Sequence, residues 1–467
     1  MQLLLPRSCG KDHQLPQIAI TLLVSLTSLS CGLLYAWTSP SIPKLVNDPS
    51  LDISLDEASY FTVIHPLSMG VFSVLQLKVI DKVGRKLAII ATIIPQLVSW
   101  LLIAFAQRIE LFYLSRVMAG IADAGAFSTI TIYVCEISEA KVRDTWNNAI
   151  SVSLYLGVLL VNVVGSYFSI TDTALMFACI PIIQIALFIF APESPYYLLA
   201  RHRTEEARCS LQLLRWRSDV DEEMEQLEAD VQRQISESCR FIDIVSVKSH
   251  RKAFVICLAI RTIQQFSGLS AIESHTQYMF ANAGVGISES LSSIIFAAVL
   301  MVTVTISWFV MDKFRRKSLL LVSCFGSAFC LGIDCIYLGI RNFTDLDLSS
   351  VSWISLSSII AYTLIFGFGL ATLPTSIVGE MFSSSVKAKA SFLLNLCFAL
   401  QMLLIPKLFH LVTENFDLFY SFSFFAISAT LGGVFCCYCI IETKGKTLEE
   451  IQQALKGDLP IKSEIKP

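Results

Sequence analysis

Twelve stretches of this chain each offer close to the roughly 20 consecutive apolar residues that a helix needs to cross the hydrocarbon core of a bilayer. They fall near 17–37, 59–79, 88–106, 111–134, 147–168 and 174–191, and again near 253–281, 288–311, 318–340, 352–378, 388–409 and 416–440. Backbone amides and carbonyls find no water in that core, so runs of this length are predicted to be helices and the chain an all-α polytopic membrane protein whose solvent is the lipid bilayer. The composition agrees: of 467 residues 54% are hydrophobic and only 16% charged, outside the usual range of water-soluble domains. The first run lacks a small-residue cleavage site and eleven more follow it, so it reads as a retained span.

Cationic residues gather in alternate connections, at Lys82, Arg85 and Lys86, at Lys141 and Arg143, at Lys313, Arg315, Arg316 and Lys317, and at Lys387 and Lys389. The positive-inside rule places these in the cytoplasm, together with both termini. The opposite connections carry acids, such as Asp48, Asp52, Asp56 and Glu57, and Asp345 with Asp347. The one N-x-S/T sequon, at Asn342, then falls in an outward loop as a glycosylation candidate. The charged segment 192–252 is predicted to be a cytoplasmic helical linker, with helices near 205–215 and 221–234, between half 17–191 and half 253–440. Residues 1–16 and 441–467 are the cytoplasmic ends.

Several function classes are excluded. Net charge is −3 without a dense basic block, which argues against nucleic acid as a partner. The 14 cysteines lack metal-ligand spacing and read as small packing residues, with Cys436, Cys437 and Cys439 placed for acylation at the end of the last span. No nucleophile, metal or phosphate-binding constellation points to an enzyme, and no cofactor is implied.

The two halves repeat one another. DKVGRK at 81–86 follows the second span, and DKFRRK at 312–317 follows the eighth. Glu136 precedes Arg143 by seven residues after the fourth span, as Glu380 precedes Lys387 after the tenth. Glu193 and Glu442 follow the sixth and twelfth. Three matched pairs in order predict two parallel six-helix halves. Asp81, Arg85, Glu136, Arg143, Glu193, Asp312, Arg316, Glu380, Lys387 and Glu442 are thus predicted to form an inner gate of charges drawn from both halves, with ordinary juxtamembrane topology charge as the alternative. One exposed ion pair contributes only about 0–1 kcal/mol, whereas a set biases a two-state equilibrium by a few kcal/mol.

Within this frame the stretch 261–275, RTIQQFSGLSAIESH, is an apolar span that fills with hydrogen-bonding side chains. Gln264 and Gln265 each carry a donor and an acceptor, which suits a hydroxyl-rich solute, and Gly268 permits close backbone approach or a helix break. Transporter sites favour such interrupted helices near the midplane. A glutamine pair that merely joins neighbouring helices is the alternative.

DKVGRK, RVMAG, YVCEIS, PESPYYLL, QQFSG and ETKGKTLEEI, in this order over nearly the whole chain, resemble the signature set of the sugar porter family within the major facilitator superfamily. Trp37-Thr38-Ser39-Pro40 and the tyrosines after PESP resemble facilitated trehalose transporters in particular. The resemblance implies the major facilitator fold of two six-helix halves, and alternating access to a sugar bound between them. It also implies that the positions equivalent to sugar ligands are Gln264, Gln265, Ser270, Ser151 and Thr375, with Phe398 as an apolar wall, and that Ser274 and His275 stand at the outer gate. Several differ from the family pattern, which has glutamine at 151, asparagine at 270, a polar amide at Leu300, tryptophan at 375, an Asn-Trp pair at Phe398-Ala399 and tyrosines at 274 and 275. Glycine is replaced by Leu77 and Arg315.

Asp123, Glu273 and Asp334 are acids inside spans, where charge costs roughly 2.5–3.5 kcal/mol and calls for a partner. Asp123 is expected to pair with a polar neighbour and Asp334 to sit toward a helix end, while Glu273 and His275 are a candidate proton pair. The first span, where proton-coupled sugar porters carry an acid, has none between Ile18 and Pro43. The expected activity is facilitated uniport of trehalose or a hexose such as glucose across the plasma membrane. Transport of another polyol or small organic solute, and a non-transporting nutrient sensor, are the alternatives. Oligomeric state is left open.

Overall fold

The computed structural model describes residues 15–139, 142–236, 241–283, 288–311, 313–344, 351–382, 384–444, 446 and 448–456. Asp312, Lys141, Asp345 and Asp347, and the side chains of Asp81 and Arg143, lie outside what is described. Among the described residues there is no strand. The chain divides into two compact units, Met1–Glu237 and Ser238–Pro467. The first contains α1 (Leu15–Ala36), α2 (Thr38–Val46), α3 (Leu55–Val83), α4 (Arg85–Ala104), α5 (Ile109–Ile137), α6 (Arg143–Tyr167), α7 (Ile170–Phe188), α8 (Pro195–Ala200), α9 (Thr204–Arg215) and α10 (Asp221–Ser236). The second contains α11 (Asp243–Ser246), α12 (Lys248–Phe266), α13 (Leu269–Ala283), α14 (Glu289–Met311), α15 (Arg316–Phe343), α16 (Trp353–Phe368), α17 (Leu373–Met381), α18 (Ser384–Asn415), α19 (Leu418–Cys439) and α20 (Leu448–Lys456).

Among the described residues, twelve helical stretches are long and apolar enough to span a membrane, six in each unit. Nine are single helices. The other three are interrupted, between α1 and α2, α12 and α13, and α16 and α17. Each interruption has a local cause. Pro40 and Pro43 follow Trp37, Gly268 follows α12, and Gly369 ends α16 just before Pro374 opens α17, each removing a helix donor or admitting a non-helical backbone angle. The outward faces are apolar. On α15, Val322, Phe329 and Ile336 recur every seventh residue and are 66%, 70% and 65% exposed, a stripe that acyl chains cover and water would not.

Some helix starts carry side-chain caps. Ser54 and Glu57 form a capping box on α3, Ser169 caps α7 and Ser194 caps α8. In the first unit Trp37 packs against Phe61 and Phe112 at ring separations of 6.1 and 6.0 Å. The charged segment after α7 forms α8 to α10, and Arg215 ties it to the end of α5 by donating to the Ile137 carbonyl at 2.9 Å and pairing with Glu223 at 2.8 Å. The first helix after this segment that spans, α12, begins at Lys248, five residues ahead of the expected 253.

Two expectations are corrected. Asn342 is not in a loop but in the last turn of α15, exposed, with Thr344 as its C-cap. An apolar run does not mark where a helix ends, and here the backbone bonds continue past it. Asp334 is likewise inside α15, buried, where the Ser358 hydroxyl donates to Oδ1 at 3.3 Å.

Candidate functional site

The broken seventh span positions most of the expected ligands. Gln264 and Gln265 occupy the last turn of α12, and the helix ends because Gly268 turns to φ +95°. A side chain there is excluded twice, by that backbone angle and by Phe425, whose Cδ2 would lie 2.5 Å from an added Cβ. The Ser267 carbonyl released by the break accepts from the Tyr362 hydroxyl at 3.0 Å, so the interruption is stabilised by a partner on α16. Ser270 then sits in the first turn of α13, buried.

Thr375 on α17 and Phe398 on α18 converge on the same turn of α12 through one side chain, Arg261. Its Nη1 donates to Gln264 Oε1 at 3.3 Å and its Nη2 to Thr375 Oγ1 at 3.1 Å. The guanidinium carbon stands 5.0 Å from the centre of the Phe398 ring. Gln264 Nε2 in turn donates to the Ala371 carbonyl at 3.3 Å, and Gln401 Nε2 donates to Thr262 Oγ1 at 2.8 Å. Gln264, Thr375 and Phe398 are therefore brought together, with Gln265 and Ser270 on the adjoining turns. Gln265 Oε1 and Ser270 Oγ are buried and have no hydrogen-bond partner among the described residues, and so leave hydrogen-bonding capacity unfilled. Sequence reasoning assigned no role to Arg261, Tyr362 or Gln401. The available signal for the first was a lone cation inside an apolar span, three residues ahead of Gln264.

Of the remaining expected positions, Ser274 and His275 are buried in α13, which kinks at His275 (φ −121°, ψ 23°). The His275 ring stacks on Phe409 at 5.7 Å and on His410 at 6.1 Å, so its neighbours belong to α18. Leu300 is fully buried on α14. Ser151 belongs to the first unit, on α6, and is exposed.

The charges expected to lock the two halves together are found wired inside each half, and wired alike. In the first unit Arg85 pairs with Glu136 at 3.0 Å, and the Ser194 hydroxyl donates to Glu136 at 2.5 Å. Glu193 accepts the backbone amides of Arg85 and Lys86, at 2.9 and 3.1 Å, and so caps α4. In the second unit Arg316 pairs with Glu380 at 3.2 Å, and the Thr443 hydroxyl donates to Glu380 at 2.5 Å. Glu442 accepts the amides of Arg316 and Lys317, at 3.0 and 3.2 Å, and so caps α15. An anion on a helix N-terminus is favourable by itself. Gly84, at φ +94°, leaves room for Glu193, which would lie 2.4 Å from an added Cβ. Arg85 also stacks on Tyr197 at 5.1 Å. Beside it Tyr196 is half-buried, and burial pushes its phenol up to about 12. Lys387 is exposed, with Nζ 3.3 Å from where a Cβ on Gly379 would stand.

Asp123 has the polar partner it was expected to need. His65 Nε2 lies 2.9 Å from Asp123 Oδ2, both residues buried. Arg116, also buried on α5, donates to the Leu34 carbonyl at 2.7 Å and stacks on Trp37 at 4.6 Å.

Residues 59–455 match the family described as "Sugar (and other) transporter". The chain is 27% identical to the facilitated trehalose transporter Tret1 of Apis mellifera ligustica over 447 residues, covering 94% of this chain and 88% of that protein. It is 28% identical to the Tret1 of Aedes aegypti, again over 94% of this chain, but spans only 55% of that longer protein. Among solved structures, the inward open xylose transporter XylE from E. coli superposes with a TM-score of 0.76 at 18% identity, over 94% of this chain and 99% of that one. At that identity the likeness shows the fold, the major facilitator arrangement.

Proposed function

This chain belongs to the Sugar (and other) transporter family, and from that premise we propose that it is a facilitative carrier moving trehalose or a hexose down its gradient by alternating access. The observation that carries this reading is the polar cluster around the break after α12, where Gln265 Oε1 and Ser270 Oγ are buried without partners beside Gln264 and Thr375. Sugar hydroxyls both donate and accept, and so complete such atoms. Ser151 supplements them and Phe398 supplies the apolar wall. Arg85, Glu136, Glu193, Arg316, Glu380 and Glu442, with Asp81, Arg143, Asp312 and Lys387, serve as the inner gate, and Ser274 and His275 as part of the outer one. The carrier sits in the plasma membrane with both termini in the cytoplasm, in line with its cationic connections. The first span contains no acid between Ile18 and Pro43, which supports uniport.

Uptake of labelled trehalose, glucose and a polyol panel into proteoliposomes holding the full chain tests this. Saturable sugar uptake that a proton gradient does not drive is the expected result. Polyol flux without sugar flux overturns the substrate, and saturable ligand binding without counterflow from either face overturns transport.

A further inference from the structure

The end of α12 is tied at two points to the interrupted span made of α16 and α17, and the two ties cross. Ser267 closes α12, and its backbone carbonyl accepts from the Tyr362 hydroxyl at 3.0 Å. Tyr362 stands on α16, two turns ahead of Gly369, where that span is itself interrupted. One turn earlier on α12, Gln264 Nε2 reaches beyond this second interruption and donates to the Ala371 carbonyl at 3.3 Å. A helix end leaves carbonyls without intrahelical donors. Here each broken span supplies, from a side chain, the donor for a carbonyl at the break of the other.

The α16 side of this arrangement is firmly held. Tyr362 and Ser267 are both fully buried, and a buried phenol characteristically finds a partner for its hydroxyl. The Tyr362 ring lies 5.4 Å from the Phe366 ring one turn on. Ser323 of α15 secures the break itself, because its hydroxyl donates to the Phe366 carbonyl at 3.3 Å and accepts from the Leu370 amide at 3.0 Å. The end of α12 is thus set against a braced surface. A side-chain amide has two N–H donors on one side and an acceptor on the other, so a half-turn exchanges its chemistry. Gln264 Oε1 accepts from Arg261 at 3.3 Å while Nε2 faces the Ala371 carbonyl. These contacts set the amide one way round and keep a second N–H of Nε2 for a hydroxyl of the solute.

We propose that Tyr362 is a positioning residue for sugar recognition: by holding the Ser267 carbonyl it fixes the end of α12, and with it the direction in which Gln264 presents its amide. The proposal rests on the sugar-carrier reading and adds to that site a residue that touches no solute. Removal of the hydroxyl leaves a buried carbonyl without its donor, so the end of α12 shifts toward another and Gln264 moves with it. A binding group has to be held within about 0.5 Å of its productive place, so such a shift weakens the bond to the sugar. Affinity falls, while the turnover of carrier that has bound its solute is spared.

The test is uptake of labelled trehalose and glucose over a range of concentrations by the full chain in proteoliposomes. Native protein, Tyr362→Phe, Gln264→Ala and the double variant are compared, with the maximal rate divided by the amount of folded carrier. In Tyr362→Phe, KM is expected to rise about fivefold or more and the maximal rate per folded carrier to change by less than about twofold, the scale of one hydrogen bond weakened at the site. A merely structural residue lowers the amount of folded carrier and leaves KM where it was, and that result overturns the proposal. In the Gln264→Ala background, which lacks the group that Tyr362 positions, Tyr362→Phe is expected to raise KM by no more than about twofold further. Increases that multiply in the double variant overturn the proposal, since they place the action of Tyr362 outside Gln264. If the folded native protein carries no sugar, the carrier reading itself fails and this proposal with it. Should Tyr362→Phe not insert, Tyr362→His, whose ring nitrogen donates from nearer the backbone, is read in the same way, and an unchanged KM there overturns the proposal.

Discussion

The Glu193 carboxylate lies 2.9 Å from the backbone nitrogen of Arg85, 108 residues earlier in the chain, and thereby caps the helix that Arg85 begins. The same oxygen also accepts from Lys86 and from the Ser194 amide. Replacing Glu193 by Gln keeps an acceptor and removes the charge, so a loss of about 1 kcal/mol is expected. Replacing it by Ala removes both, and about 2 kcal/mol is expected. Thermal unfolding in detergent measures the difference, and Glu442→Gln and Glu442→Ala are expected to fall in the same order.

Arg85 and Glu136 are only 13% and 12% exposed, whereas Arg208 and Asp221, also paired, are 39% and 66% exposed. Breaking the first pair strands a desolvated charge, for which about 3–5 kcal/mol is expected. Breaking the second should cost no more than about 1 kcal/mol. A double-mutant cycle of Arg85→Ala with Glu136→Ala is expected to be strongly non-additive, and one of Arg208→Ala with Asp221→Ala nearly additive.

Gly268→Ala carries two separable penalties, the backbone angle of +95° and the encounter with Phe425. The angle alone costs about 1–2 kcal/mol. Adding Phe425→Leu should recover the packing part and leave the rest. Transport by the double variant should therefore exceed that of Gly268→Ala but stay below the native rate.

Gln265 and Ser270 separate stability from transport. Because Gln265 Oε1 and Ser270 Oγ are buried without partners, Gln265→Leu and Ser270→Ala are expected to leave thermal stability unchanged or raise it by about 1 kcal/mol. Each should lower sugar uptake, by a factor of roughly 2–10 for one lost hydrogen bond. Unchanged uptake in both would remove these residues from the site.

Tyr196 provides a pH signature outside the membrane spans. Burial pushes its phenol up to about 12 from the usual 10, so the folded state holds the proton more tightly than the unfolded one. Its contribution to stability is fully present below pH 10 and is lost as pH rises toward 12. Tyr196→Phe should flatten the fall of stability over that interval, as read by unfolding temperature.

The twelve spans and the twofold repeat were legible because each rests on a property local to the chain, apolar length in one case and motif spacing in the other. Arg85 with Glu136 and Arg316 with Glu380 were legible as participants for the same reason. That each pair closes inside its own unit was not, since spacing along the chain does not say which copy of a repeated motif a charge will meet. Gln264, Gln265 and Gly268 announced themselves as polar and flexible residues in an apolar run. Arg261 was visible only as a cation in an apolar span; that it meets Thr375 and Phe398, more than a hundred residues away, follows only from the packing of α12 against α17 and α18. Asn342 was misplaced because the apolar run stops before the backbone hydrogen bonds do.

The caps on α4 and α15 also set an order on biosynthesis. Each helix opens with amides whose acceptor, Glu193 or Glu442, lies 108 or 126 residues further along the chain. At about 5–20 residues per second, a ribosome takes roughly 5–25 s to supply it. For that interval the newborn helix has an uncapped end at the membrane surface, and the arrival of the carboxylate after the sixth span closes the unit behind it. Completion of each half is thereby tied to its own second loop, since the carboxylate that caps the helix after that loop follows the half's last span.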